Sequence, residues 1–175
     1  MTKGEIVQKS ENIFFLFADT CKAMEYDHFF KHPPGKWSAA ENLQHLIIST
    51  TTSTIAFKLP LFLIRLIGGR PNRPSRMYKE VESKYNKKLI EGGVARGRYV
   101  PKPIELRTMK QPLLNNWAKA CKEYITSLKN NRLEKDLDTY LVKHPLLGRI
   151  TLRELCYFTI FHTQHHLNII LATNN

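Results

Sequence analysis

Residues 151–172, TLRELCYFTIFHTQHHLNIILA, combine an apolar helical pattern with three histidines in five positions. The opening Thr-Leu-Arg-Glu matches a capping box, in which the Thr and Glu side chains each accept from the other residue's backbone amide. At about 100° per residue, one stripe of this helix faces the core, and it contains Leu155, Thr159, His162, His166 and Ile169. The segment therefore predicts a buried helix with imidazoles on its core-facing side.

His162 and His166 lie one helical turn apart, the spacing that two imidazoles need to share one metal ion. Buried imidazoles are costly unless something satisfies them, and a divalent cation does so directly. His165 lies about 80° from the centre of the stripe, at its edge. The competing interpretation, hydrogen-bonded core histidines without a metal, stays open.

A second capping box, Ser-Ala-Ala-Glu at residues 38–41, begins another helix that continues to Lys58. Pro60 ends or kinks this helix because proline lacks the amide donor, and the apolar stretch after it predicts a further helical piece. His45 lies two turns into the helix, inside an apolar pattern. Because a catalytic metal site usually takes three protein ligands, His45 is the candidate for the third.

Two residues near His45 have a structural and a functional interpretation. Glu41 is favoured as the capping residue over a catalytic group. Trp37, just before the cap, is expected to be a hydrophobic staple or a pocket wall. His28, His32 and His144 lie in proline-bearing loops, where surface or loop-packing roles are expected.

Two further apolar stripes predict helices over residues 3–24 and about 104–128. Pro112 is an alternative start for the latter. The first stripe contains Ile6, Ile13, Phe17, Cys21 and Met24, and the second contains Leu106, Met109, Leu113, Trp117, Ala120, Tyr124 and Leu128. The prolines and glycine of residues 27–37 predict a loop. Residues 75–91 predict a peripheral charged helix, and residues 139–142 an extended piece.

These elements predict an all-α fold, a bundle of four main helices with long crossovers and one extra peripheral helix. The length of 175 residues favours a single domain over 1–175. The three cysteines, Cys21, Cys121 and Cys156, form no CxxC motif and are expected to be buried thiols in a reducing cytosol. No signal peptide is apparent, and the most apolar window, residues 55–69, is shorter than the roughly 20 residues that span a bilayer. A soluble, cytoplasmic protein is expected.

The net charge of +12 favours anionic partners. Nucleic acid is not expected, because the sequence contains no helix-turn-helix, zinc-finger or RNA-binding aromatic motif. A small anionic substrate is the preferred partner. Apolar residues around 58–70 make two-fold association, a homodimer, a reasonable expectation.

Two motifs resemble the DinB/YfiT-like superfamily of metal-dependent enzymes: KWSAAENLQHL at residues 36–46 and HPLLGRITLRELCYFTIFHTQHHLNII at residues 144–170. The shared features are W-S-x-x-E-x-L-x-H-L on the second helix and H-x-x-x-H on the last. The resemblance implies an up-down-down-up four-helix bundle. It also implies a divalent metal, commonly nickel or zinc, held by His45, His162 and His166, with His165 as a support or a competing ligand. Some members of this superfamily are thiol-dependent transferases or isomerases that use low-molecular-weight thiols.

A three-histidine site allows two reactions. The metal can activate water for hydrolysis, or it can bind a thiol as thiolate for transfer to an electrophile. A group of four arginines is expected to form a solvated basic surface, and the alternative is a basic rim that binds the carboxylates of such a thiol; they are Arg65, Arg70, Arg96 and Arg98. The alternative from another class is a non-catalytic binding protein with a structural metal clamp.

Overall fold

Helices dominate the computed structural model, which describes residues 1–102, 104 and 109–172. The helices in these residues are α1 (Lys3–Ala23), α2 (Tyr26–Phe30), α3 (Ala39–Lys58), α4 (Leu61–Gly68), α5 (Tyr78–Ile90), α6 (Lys110–Asn131), α7 (Asp136–Thr139) and α8 (Leu152–Ala172). Strands β1 (Leu141–His144) and β2 (Gly148–Thr151) form one antiparallel hairpin, and Gly97–Tyr99 is a 3-10 turn. The fold is mostly α-helical, as predicted.

The four long helices form the core. Helix α1 contacts α6 and α8, and α3 contacts the same two helices, so each long helix has two long neighbours. The predicted α1 stripe is buried along its whole length, and the described part of the α6 stripe is buried from Leu113 onward. Phe14 and Trp117 join these two stripes with edge-to-face rings 5.3 Å apart. The up-down-down-up order of the helices and the single-domain organisation stay predictions.

Both predicted capping boxes are confirmed. The backbone amide of Glu41 donates a hydrogen bond to Ser38 Oγ at 3.2 Å, and the backbone amide of Ser38 donates one to Glu41 Oε2 at 2.8 Å. The Thr151 and Glu154 pair at the start of α8 has the same geometry, at 3.2 and 3.0 Å. These caps fix where α3 and α8 begin and therefore which residues of each helix face the core.

Pro60 separates α3 from α4, as its missing amide predicts, and the two helices are bent by 112°. The core side of α4 is close to the hairpin, because a Cβ on Gly68 would lie only 1.8 Å from the Leu141 carbonyl oxygen. Its outward side is apolar and exposed at Phe62 and Leu66.

Three differences from the predictions are local. The first four residues of the predicted loop 27–37 belong instead to a short helix, α2, which begins at Tyr26 and buries Phe29. Of the predicted extended piece 139–142, Thr139 ends α7, whereas Leu141 and Val142 begin a strand of a hairpin in which Leu141 pairs with Thr151. Helix α6 begins at Lys110, between its two predicted starts; Pro112 lies in its first turn, where an amide donor is not needed. Leu106 of the predicted stripe lies outside the described residues.

No single helix in the described ranges is both long enough and apolar enough to cross a membrane. In the same ranges, only α3 and α4 taken together, across the bend between them, have the length and apolar composition that a membrane span requires.

Candidate metal site

Three histidines from two helices converge in the core. Helix α3 supplies His45, and α8 supplies His162 and His166. The Nε2 atom of His162 lies 3.1 Å from the Nε2 of His45 and 3.1 Å from that of His166. All three side chains are buried. The structure thus brings together the three predicted residues in a group that is able to hold a divalent metal ion.

The His45 ring is oriented from its far side by a backbone group. Its Nδ1 lies 2.7 Å from the carbonyl oxygen of Tyr99, in the 3-10 turn. A carbonyl oxygen only accepts hydrogen bonds, so Nδ1 carries the ring proton and donates it. The Nε2 of the neutral ring then presents a lone pair to the group.

Asn42 orients His166 in the same way. Its amide nitrogen donates to the carbonyl oxygens of Ser38, at 2.8 Å, and Trp37, at 3.2 Å. The Asn42 Oδ1 therefore faces His166 Nδ1, 2.6 Å away, and accepts its proton. His162 Nδ1 lies 3.4 Å from the hydroxyl of Ser49, which supports the third ring.

Proton counting favours a cation between the three rings. When the Nδ1 atoms of His45 and His166 are protonated, their Nε2 atoms carry lone pairs that point toward His162 Nε2. A proton on His162 Nε2 can be donated to only one of them, which leaves a buried acceptor unsatisfied. A divalent cation satisfies all three nitrogens at once, and the outward hydrogen bonds are those that metal-bound imidazoles usually make.

The spacing of the nitrogens also fits a metal. Zinc holds imidazole nitrogens at about 2.0–2.1 Å, which separates neighbouring nitrogens by about 2.9 Å at right angles and about 3.3 Å at tetrahedral angles. The observed separations of 3.1 Å lie between these values. The residues present therefore fit the group that the family resemblance implies.

The environment keeps the imidazoles neutral. Burial lowers the pKa of His45, and it lowers the pKa of His162 and His166 well below the ordinary value of 6.5. The neighbouring rings lower the pKa of the latter two further. Because neutral imidazole is the form that binds metals, the group is ready to bind a cation at neutral pH.

The group lies on the wall of a cavity of about 1070 Å³. Trp37 forms part of the same wall, with its ring centroid 5.1 Å from that of His45, so its predicted role as a pocket wall is confirmed. Three cationic side chains also line the cavity: Lys36, Arg96 and Lys143. Within the described residues, no aspartate or glutamate lines it.

Other predicted residues lie outside the group. His165 is half-buried at the edge of the stripe, where its ring contacts that of His166 at 5.2 Å. Glu41 is occupied by its cap and by the ring nitrogen of His32 at 3.2 Å. Of the four arginines of the alternative basic rim, only Arg96 lines the cavity; Arg65, for example, packs over the Tyr140 ring. Lys36 and Lys143 were missed because their positions depend on loop and hairpin geometry.

Replacing Asn42 with alanine is expected to weaken zinc binding about tenfold, because His166 loses the acceptor that fixes its tautomer. Isothermal titration of the metal-free protein with Zn²⁺ measures the change. Gln44→Ala is the control, since Gln44 lies on the same helix but accepts from the Lys102 amide instead. Equal affinities for the two variants would contradict this role of Asn42.

Fold and site together define a mostly helical protein with a buried three-histidine group beside a large cavity. A family model described as the DinB superfamily matches residues 18–170. The chain belongs to the DinB superfamily, as the sequence motifs predict. Comparisons with curated proteins and with solved structures gave no match.

Proposed function

We propose that the protein is a metal-dependent enzyme in which His45, His162 and His166 hold a divalent cation, nickel or zinc. The observation that carries this proposal is that three histidines with converging ring nitrogens line a cavity of about 1070 Å³. Structural metal sites are closed by four protein ligands, whereas catalytic sites keep a position open for water or substrate. Three imidazoles beside a large cavity match the second kind of site.

The cavity lining favours an anionic thiol as the co-substrate of a transferase over the substrates of a simple hydrolase. A cation held by three neutral imidazoles keeps its full charge, and the lining adds cations such as Arg96 and Lys143 without a described carboxylate. Such a site attracts thiolates and carboxylates. A metal bound there would lower the pKa of a thiol or water and so supply a nucleophile at neutral pH.

The protein's own residues would position the reactants. Trp37 and Phe158 line the cavity beside the histidine rings, and Phe158 is stacked on His162 with ring centroids 4.7 Å apart. They would therefore exclude water from one side of the histidine group. Asn42 and the Tyr99 carbonyl hold the imidazoles in the metal-binding tautomer. Hydrolysis of an ester or amide by activated water is the second reaction that the same residues support.

A thiol-consumption assay tests the proposal. We expect zinc- or nickel-loaded protein to accelerate the reaction of a small thiol with a chlorinated dinitrobenzene, and the metal-free protein and His162→Ala not to do so. The protein's own thiols interfere little, because burial raises the pKa of Cys21 and of Cys156 to about 12 and also raises the pKa of the half-buried Cys121. No acceleration with several thiols, and no ester or amide hydrolysis, would contradict catalysis.

That negative result would favour the second candidate, a non-catalytic binding protein. The observation behind it is that the histidines come from both α3 and α8, so a bound cation would clamp two core helices together. Such a clamp raises the thermal stability of the protein without turnover.

A homodimer and a cytoplasmic location stay part of the proposal. The outward face of α4, with Phe62 and Leu66 exposed, is an apolar surface that a second copy would cover. Sedimentation equilibrium measures the molar mass directly.

A further inference from the structure

The hairpin adds a histidine to the cavity wall, besides the three of the metal-binding group and His165. His144 is the last residue of β1, and the following residues turn the chain back into β2 at Gly148, whose positive φ of 75° suits glycine. The turn is held by the His144 ring, because the backbone amides of Leu146 and Leu147 donate to its Nδ1 at 3.2 and 3.1 Å. His144 also lines the cavity.

These two hydrogen bonds from backbone amides determine the tautomer of His144. Since Nδ1 accepts hydrogen bonds, it carries no proton, and the proton of the neutral ring lies on Nε2. Burial, helped by the charge of Lys84, lowers the pKa of His144 to about 4, so the ring is neutral at pH 7. Within the described ranges no hydrogen-bond partner is found for Nε2, which leaves one N–H donor available to a molecule in the cavity.

The donor is close to the metal-binding group. The Phe158 ring contacts His144 at 4.2 Å and His162 at 4.7 Å, so a single side chain separates them. Lys143, the neighbour of His144 on β1, lines the same cavity, as does Arg96. A ligand that reaches from the histidine group to the hairpin therefore meets a neutral donor among positive charges.

We propose that His144 Nε2–H donates a hydrogen bond to a carboxylate of the molecule bound in the cavity, which makes His144 a specificity-determining residue. The identity of that molecule as the thiol co-substrate rests on the proposed function. The binding of a carboxylate at His144 does not rest on the proposed function, because the hydrogen-bond donor and the cations of the lining belong to the protein itself. The hairpin thus selects acidic ligands over neutral ones of similar size.

Two substitutions separate this role from the support of the turn. In His144→Asn, the amide oxygen replaces Nδ1 as the acceptor for Leu146 and Leu147, but the side chain is too short to reach the position of Nε2. In His144→Gln, the side-chain amide nitrogen reaches about as far as Nε2 and can still donate. No acceptor remains at the position of Nδ1 for the amides of Leu146 and Leu147. Asn therefore keeps the turn and loses the donor, whereas Gln does the reverse.

Isothermal titration with mercaptosuccinate and with succinate tests the proposal on zinc-loaded and metal-free protein. We expect His144→Asn to bind both probes about tenfold more weakly than the parent, with an unchanged melting temperature. His144→Gln should keep the affinity within about threefold but melt at a lower temperature. Equal affinities of parent and His144→Asn, or no binding of either probe to the parent, would overturn the proposal.

The two probes keep this test separate from that of the proposed function. If the metal does not hold a thiolate, zinc-loaded parent shows no preference for mercaptosuccinate over succinate, yet His144→Asn still weakens succinate binding. If only the role of His144 is wrong, the preference for the thiol remains and the substitution has no effect on either probe.

Discussion

The His162→Ala variant is expected to bind Zn²⁺ more than about 100-fold more weakly than the parent protein. His162 is the central member of the group, since its Nε2 lies 3.1 Å from both other Nε2 atoms. Its loss leaves two ligands on separate helices, and two imidazoles do not complete a site. Competition with a chromophoric chelator measures the affinity, and elemental analysis after gel filtration measures the metal content.

His165→Ala is the matched control for this substitution. His165 lies on the same helix, three residues along, but its ring is at the edge of the stripe and outside the group. We expect it to retain stoichiometric metal with an affinity within about threefold of the parent. Thermal unfolding of both metal-free variants shows whether either is misfolded. If folded His162→Ala holds zinc as tightly as His165→Ala, the assignment of the ligands is wrong.

The Arg73→Met variant is expected to be destabilised by about 2–3 kcal/mol at pH 7. The Glu154 side chain is fully buried, and Arg73 donates to its two oxygens at 2.6 and 2.9 Å. Without Arg73 the carboxylate keeps only the amides of Arg76 and Thr151 and a longer contact to the Arg76 guanidinium. Because Arg73 is partly exposed, the expected loss is smaller than the roughly 3–5 kcal/mol that follows when a fully buried pair is broken. Urea unfolding measures it.

This destabilisation should depend on pH with a definite sign. Burial raises the pKa of Glu154, but the hydrogen bonds from Arg73, Arg76 and Thr151 outweigh burial and hold the pKa below its ordinary value of 4.5. A lowered carboxyl pKa stabilises the fold above the ordinary value and loses that contribution as the pH falls through the folded-state pKa. The difference between parent and Arg73→Met should therefore be full at pH 7 and shrink as the pH falls below the ordinary carboxyl pKa of 4.5.

Lys58→Met provides the comparison. Lys58 and Glu123 form a short ion pair of 2.7 Å, but both side chains are well exposed, so its removal should have little effect on stability at any pH. Equal stability changes for the two variants would contradict the role assigned to Glu154. This role matters for the site because Glu154 anchors the start of α8, the helix that carries His162 and His166.

Local patterns made much of this structure predictable from the sequence. The two capping boxes fixed the starts of α3 and α8, because a cap depends on residues three positions apart. Helical periodicity then placed His162 and His166 on the buried side, and the apolar surroundings of His45 indicated the same for that residue. Convergence of the three followed from the family resemblance, since periodicity does not tell which helices are neighbours.

The remaining features depend on contacts between distant residues. The hairpin that carries His144 needs the pairing of β1 with β2 and the Phe158 ring of α8 beneath it, and a short proline-containing segment does not reveal either. The Tyr99 carbonyl that orients His45 is a backbone group, which no residue type marks. For the same reason the cations of the cavity were predicted poorly, because a lysine or arginine side chain reaches the cavity only if its loop folds toward it.

Anomalous scattering from a crystal of the zinc-loaded protein tests the central claim most directly. Data collected on either side of the zinc absorption edge locate the ion without reference to activity. We predict one peak at full occupancy about 2.0–2.1 Å from the Nε2 atoms of His45, His162 and His166. A fully loaded crystal with no peak between these three nitrogens, or with its zinc bound elsewhere, would contradict the proposed metal site.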